Sequence, residues 1–157
     1  MQQSIYRIDK YTPISENLAM AGQPSENQFK AIRDAGFQLV IRLRIREIES
    51  VIENEEKMAS RVGLLFEEIP ISVKSPTQEA FDTLAETLNK YQRLKTFLHC
   101  TAGYCTSGLL IPYLVLYQNM TRDEATSQMI VQAFDATWTH FIDNIMETHE
   151  VDLANIG

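Results

Sequence analysis

Long apolar runs are missing from this sequence. None approaches the roughly eighteen residues that a membrane-spanning helix needs. The first seven residues also lack the apolar core of a signal peptide. We therefore expect a protein that has no membrane partner and is located in the cytoplasm.

Basic residues are scarce as well. Lysine and arginine number 14 against 21 aspartates and glutamates, which gives a formal net charge of −7. Proteins that bind nucleic acid carry a basic stripe, and none is visible here, so nucleic acid is not an expected partner. The acidic runs at 47–56 and 147–152 are typical of solvated helix faces.

Cysteine occurs only at Cys100 and Cys105. Two cysteines are too few for a disulfide framework or for a structural zinc site, and His99 and His140 do not complete a ligand spacing. We expect neither a metal nor another cofactor. No repeat or linker divides the chain, so residues 1–157 are expected to form one domain.

Short apolar runs favour β-strands, which we predict at 5–9, 18–21, 37–43, 64–71 and 96–99. Helices are predicted at 25–35, 47–61 and 107–118, from 75 and 121 onward, and around Trp138. Three of these helices begin at capping-box pairs, which are Ser25 with Gln28, Ser75 with Gln78 and Thr121 with Glu124. The alternation predicts an α/β fold with a mostly parallel central sheet flanked by helices. Ligands of such sheets bind where strands end, here after residues 43, 71 and 99.

The strand predicted at 96–99 is followed by the most informative segment, His-Cys-Thr-Ala-Gly-Tyr-Cys-Thr-Ser-Gly at 99–108. A strand, a tight loop and a helix start form an anion-binding arrangement, because backbone N–H groups and the helix terminus attract negative charge. The same field favours a thiolate on Cys100, which is therefore the candidate nucleophile. The candidate anion-binding residues are Thr101, Ala102, Gly103, Tyr104, Cys105, Thr106 and Ser107.

This segment resembles the signature loop of the protein tyrosine and dual-specificity phosphatase superfamily, His-Cys-x-x-Gly-x-x-Arg-Ser/Thr-Gly. The stretches at 14–24 and 39–44 resemble a bacterial branch of it, a phosphatase-like family with some members fused to β-lactamase-like hydrolase domains. The resemblance implies a dual-specificity phosphatase type of fold and hydrolysis of phosphate monoesters through a cysteinyl-phosphate. It also implies a phosphorylated small molecule, a phosphoprotein or an inorganic anion as the partner.

The sequence departs from this pattern at two points. Thr106 stands where the superfamily has the arginine that grips two phosphate oxygens. The stretch after the strand at 64–71, where relatives carry an acidic residue, holds no carboxylate before Glu79. Losing one preorganised donor typically costs ~10²–10³ in rate. We therefore expect a weak or altered phosphatase, with a non-catalytic anion-binding module as the first alternative.

Several residues have two interpretations. Arg44 either supplements the anion loop, as its position in the family implies, or pairs with surface glutamates such as Glu47. Arg42 and Arg44 share strand parity and should point to the same face. His99 is expected to orient the loop, and Tyr104 either lines the pocket mouth or packs beneath the next helix. Cys105 is either buried filler or a redox partner that captures Cys100, and thiol redox or persulfide chemistry is the second alternative function.

Overall fold

The central feature is a five-stranded sheet with the order β1-β2-β5-β3-β4. It belongs to a computed structural model that describes residues 4–48 and 54–156, with side chains through residue 148. The strands are β1 (Thr12–Ser15), β2 (Leu18–Ala21), β3 (Leu39–Ile45), β4 (Leu65–Ile71) and β5 (Thr96–His99). Only β1 and β2 pair in antiparallel fashion in this sheet, and the other neighbours are parallel. The predicted mostly parallel α/β fold is confirmed.

Helices cover both faces of this sheet. They are α1 (Phe29–Asp34), α2 (Glu55–Arg61), α3 (Gln78–Lys90), α4 (Tyr104–Tyr117), α5 (Arg122–Ser127) and α6 (Ala136–Ile156). Residues of alternating parity in β3 enter two separate cores. Leu43 packs in the core that contains side chains of α3, α4 and α6, whereas Val40 packs in the core that contains side chains of α1 and α2. None of the described helices is both long and apolar enough to cross a membrane.

Two predicted elements are wrong at the N-terminal side. Residues 5–9 form no strand; instead Ile5–Arg7 is a short 3-10 turn capped by the Ser4 hydroxyl, and Ile8 alone of this stretch is buried. The strand Thr12–Ser15 was not predicted, because a short edge strand with a proline and alternating half-burial leaves little apolar signal.

Three predicted helix boundaries also differ. The hydroxyl of Thr77, not Ser75, caps α3 by accepting the N–H of Ala80. Within the described residues the helix predicted over 47–61 begins only at Glu55, since residues 46–48 form a turn and 49–53 lie outside the described part. Helix α4 begins at Tyr104 rather than at residue 107, so part of the predicted loop is the first helical turn.

Candidate active site

Residues 100–107, which we refer to as the loop, comprise the turn between β5 and α4 together with the first turn of α4, and they lie at the carboxyl end of the central strand of the sheet. Cys100 is 1% exposed, and its Sγ accepts the N–H of Gly103 at 3.2 Å. Gly103 caps α4 with a φ of +88°, and a Cβ there would lie 2.8 Å from Cγ2 of Ile130. Only glycine meets both conditions, so the loop geometry is built into the sequence.

Residues just before β1 and just after β2 donate hydrogen bonds to two carbonyl groups of the loop. The N–H of Gln23 donates to the carbonyl of Thr101 at 3.2 Å, and Nζ of Lys10 donates to the carbonyl of Ala102 at 3.2 Å. Gly22 permits this approach, because a Cβ there would lie 3.1 Å from the Thr101 oxygen. The carbonyl groups of Thr101 and Ala102 thus accept hydrogen bonds from within the protein, while both residues remain exposed to solvent.

The segment before α6 donates two backbone hydrogen bonds to side chains of the first turn of α4. The Ser107 hydroxyl accepts the N–H of Val131 at 3.1 Å, and the Tyr104 hydroxyl accepts the N–H of Asp135 at 3.1 Å. The Tyr104 ring packs edge-on against Phe134 and Trp138. Tyr104, the first residue of α4, therefore packs against α6 and the segment that precedes it.

The side chains of Cys105 and Thr106 point into the protein interior and are not exposed to solvent. Thr106, at the position of the superfamily arginine, is fully buried, and its Oγ1 has no hydrogen-bond partner among the described residues. Cys105 is also fully buried beside Cys100, and both cysteines are free thiols. Burial, together with the charges of Cys100 and Glu47, raises the pKa of Cys105 to about 12.

Arg44 lies on the opposite face of the sheet from the Cys100 side chain. Its Nη1 is 3.8 Å from Oε2 of Glu68, and Nη1 of Arg42 is 3.2 Å from Oε1 of the same glutamate. The two arginines therefore share one face, as their parity predicted. No hydrogen bond or ion pair joins Arg44 to the loop within residues 4–48 and 54–148, and Glu68 takes the place of the expected partner Glu47.

Glu47 has a role that the sequence did not reveal. Its carboxylate accepts the Ser72 hydroxyl at 2.5 Å and the N–H of Val73 at 3.0 Å, so it holds the loop that follows β4. The hydrogen bond from Ser72 is the largest cause that lowers the pKa of Glu47; burial opposes it, and the amides of Val73 and Lys74 add to it. Near neutral pH this carboxylate is therefore a hydrogen-bond acceptor and not a proton donor.

His99 and Glu55 form a buried pair next to Cys100. Nε2 of His99 lies 2.9 Å from Oε2 of Glu55, and Nε2 of Gln23 donates to Oε1 of Glu55 at 2.6 Å. Burial raises the pKa of Glu55, but the hydrogen bond from His99, the hydrogen bond from Gln23 and the charge of Arg42 outweigh burial and lower it.

The prediction of a wholly solvated acidic face at 47–56 is thus wrong for Glu55, which is 2% exposed. Glu55 lies four residues before Ala59, which is also buried, so the two residues share one face of α2. The apolar Ala59 was the sequence signal that this face of the helix is turned inward. The described residues contain no cluster of three or more histidine, cysteine or acidic side chains suited to a metal ion.

Comparisons with known proteins agree with this fold. The chain resembles a putative phosphatase (DUF442) from Shewanella putrefaciens, with 20% identity, a TM-score of 0.80 and coverage of 92% of this chain and 95% of that one. It resembles PTPMT1 in complex with PI(5)P, with 19% identity, a TM-score of 0.71 and coverage of 95% and 100%. It also resembles the catalytic core of the PP-IP phosphatase SIW14 from S. cerevisiae in complex with citrate, with 14% identity, a TM-score of 0.71 and coverage of 90% and 87%.

No curated protein matches the chain. A family model does, over residues 8–147, and it confirms the predicted membership of the protein tyrosine and dual-specificity phosphatase superfamily. The chain belongs to the family described as a DSP-PTPase phosphatase fused to NAD+ kinase.

Proposed function

We propose that this protein is a slow cysteine-dependent phosphatase, with Cys100 as the nucleophile. The observation that carries the proposal is the position of its Sγ, at the base of a strand-loop-helix turn where the Gly103 N–H donates to it. The N-terminus of α4 and the loop amides favour both a thiolate and a phosphate dianion at this place.

The reaction has two displacements at phosphorus. In the first, the Cys100 thiolate forms a P–S bond while the P–O bond to the leaving group breaks, and the leaving oxygen takes a proton from water. In the second, water attacks phosphorus and the P–S bond breaks, which releases inorganic phosphate and the Cys100 thiolate. The proton lost by the attacking water neutralises the hydroxide left when the leaving oxygen was protonated. Because the stretch at 72–75 holds no carboxylate and Glu47 is an acceptor, aryl phosphates should react best: their leaving groups need no acid.

The absence of the arginine sets the expected rate. Thr106 offers a buried neutral hydroxyl where the superfamily has a charged fork. Removing a donor of this kind typically lowers the rate ~10²–10³-fold. The ligands bound by the similar structures, PI(5)P and citrate, support an anionic partner, which we propose is a phosphorylated small molecule, a phosphoprotein or an inorganic anion.

A second candidate is an anion-binding module without turnover. It is favoured by Thr106, whose hydroxyl is buried and has no partner among the described residues. This position therefore supplies no charged donor in place of the two hydrogen bonds that the superfamily arginine gives to phosphate. Retention of Cys100 favours the enzyme over the module, since binding needs no nucleophile.

Hydrolysis of p-nitrophenyl phosphate under reductant separates these candidates, measured for the natural protein, Cys100→Ser and Thr106→Arg. Turnover by the natural protein that Cys100→Ser abolishes supports the enzyme. Turnover by Thr106→Arg alone supports the module on an intact scaffold. If all three are silent, calorimetric titration of the natural protein with inorganic phosphate decides: binding supports the module, and no binding refutes both and leaves thiol redox or persulfide chemistry.

A further inference from the structure

Glu55 connects three elements around the base of the loop. It lies on α2, and its two carboxylate oxygens accept from His99 at the end of β5 and from Gln23 after β2. Gln23 in turn donates its backbone N–H to Thr101 in the loop, and His99 immediately precedes Cys100. The carboxylate thus contacts His99, the residue just before the loop, and it is connected to Thr101 within the loop through Gln23.

The bonding pattern selects one form of His99. An ionised Glu55 only accepts hydrogen bonds, so Nε2 of His99 carries a proton. Nδ1 of His99 is buried and has no partner in the described part of the chain. A proton on Nδ1 as well would be an unpaired buried donor with a positive charge, which is more costly than an unpaired lone pair. The neutral ring with its proton on Nε2 satisfies both observations.

Arg42 completes the charge balance on this face of the sheet. It lies opposite His99 in the β3–β5 register, its side chain is 12% exposed, and its charge acts on Glu55. Arg42 also pairs with Glu68. A cation near Glu55 allows the carboxylate to remain ionised beside a neutral imidazole.

We propose that Glu55 is a positioning residue for the loop at 100–107: it holds His99 in the Nε2–H tautomer and fixes Gln23 against Thr101. Among the described residues the hydrogen bonds of the Glu55 carboxylate join it to His99 and Gln23 and not to Cys100, so Glu55 acts through these two residues. The effect on turnover rests on the proposed phosphatase function, whereas the tautomer and the network do not.

The test begins with ¹⁵N spectra of the ring nitrogens, in a chain that has three histidines. The natural protein should show the Nε2–H tautomer of His99, assigned by loss of the signal in His99→Gln. A proton on Nδ1 instead would overturn the proposal without any need for a Glu55 variant, and whether or not the protein hydrolyses phosphate.

Glu55→Gln then replaces two acceptors by one acceptor and one donor. Either His99 moves its proton to Nδ1, or the Gln23 side-chain amide turns and leaves the Pro24 carbonyl that it now contacts at 3.1 Å. Both changes are visible in the ¹⁵N spectra, and neither should occur in Glu56→Gln, an exposed neighbour. Unchanged His99 and Gln23 signals in Glu55→Gln would refute the network.

Positioning is tested by the alkylation rate of Cys100 with iodoacetamide and by p-nitrophenyl phosphate kinetics. Glu55→Gln should change the alkylation rate several-fold and lower kcat about 10-fold or more with little change in KM, because a small misplacement of a reacting group is costly. The double variant Glu55→Gln with Gln23→Glu restores an acceptor to each donor and should return the alkylation rate and kcat most of the way to the values of the natural protein. Altered spectra with unchanged alkylation refute the positioning role, whereas altered alkylation in a chain without turnover refutes only the phosphatase.

Discussion

The indole Nε1–H of Trp138 donates to the carbonyl oxygen of Val73 at 2.7 Å. This bond ties α6 to the loop after β4, and the Glu47 carboxylate accepts the N–H of the same residue, Val73. The same indole ring packs against Gly108 in the second turn of α4. One buried side chain therefore links the helix that follows the cysteine to the loop that in relatives supplies the acid.

Substituting Gly108 by alanine should destabilise the protein. A Cβ at this position would lie 2.5 Å from Cε3 and 2.6 Å from Cζ3 of Trp138, and a fully buried indole has no room to withdraw. Overpacking of this kind costs ~1–3 kcal/mol, against which alanine gains up to ~1 kcal/mol of helix propensity. Urea unfolding followed by tryptophan fluorescence measures the net loss. Asn144→Ala, at an exposed site of α6, is the control, and an unchanged midpoint in Gly108→Ala would contradict the packing.

Substituting Glu47 by glutamine should loosen the loop after β4. The carboxylate accepts from Ser72, Val73 and Lys74, and a carboxamide offers a single acceptor oxygen that carries no full charge. Amide hydrogen exchange of Val73 and Lys74 should accelerate several-fold, since exchange reports local opening. Because its pKa is lowered, Glu47 should hold the loop above its unfolded pKa and release it as the pH falls through the folded value. Equal exchange in Glu47→Gln and in Glu56→Gln would argue against this role.

The sequence predicted the strands that carry the loop because their apolar runs are unbroken, and β2 and β5 have the predicted boundaries. It predicted the capping box of Ser25 and Gln28, which the structure contains. It missed Glu47 and Glu55, because the partners of a carboxylate in an acidic run depend on tertiary contacts that composition does not encode. The pairing of Arg44 with Glu68 was missed for the same reason, as these residues come together only through the β3–β4 register.

Substituting Thr106 by valine should stabilise the protein. Its Oγ1 is buried without a partner among the described residues, and an unsatisfied buried hydroxyl typically costs ~1–3 kcal/mol. Valine keeps the shape and removes the hydroxyl, so the midpoint of urea unfolding should rise. Thr126→Val is the matched control: that hydroxyl donates to the Arg122 carbonyl at 2.8 Å, so its removal should bring no gain. A loss of stability in Thr106→Val would contradict this prediction, because it would mean that the hydroxyl has a favourable hydrogen-bond partner.

Cys105 should be a poor redox partner for Cys100 at neutral pH. Its pKa of about 12 leaves a thiolate fraction of ~10⁻⁵ at pH 7, and the thiolate is the form that attacks a sulfenic acid or a disulfide. After brief peroxide treatment at pH 7, mass spectrometry of tryptic peptides should find Cys100 oxidised and little Cys100–Cys105 disulfide. Rapid formation of that disulfide would restore the redox interpretation of Cys105.

The raised pKa of Cys105 also makes a prediction about stability that needs no oxidant. The folded state keeps the proton up to about pH 12, whereas the unfolded thiol loses it near pH 9, so the stabilising difference is present below pH 9 and is lost as the pH rises above it. Urea unfolding at pH 8, 9 and 10 should therefore show the natural protein losing stability relative to Cys105→Ala, which has no group to titrate at this position. Parallel pH profiles for the two proteins would show that the thiol ionises equally in both states, and the argument against disulfide capture would fail with it.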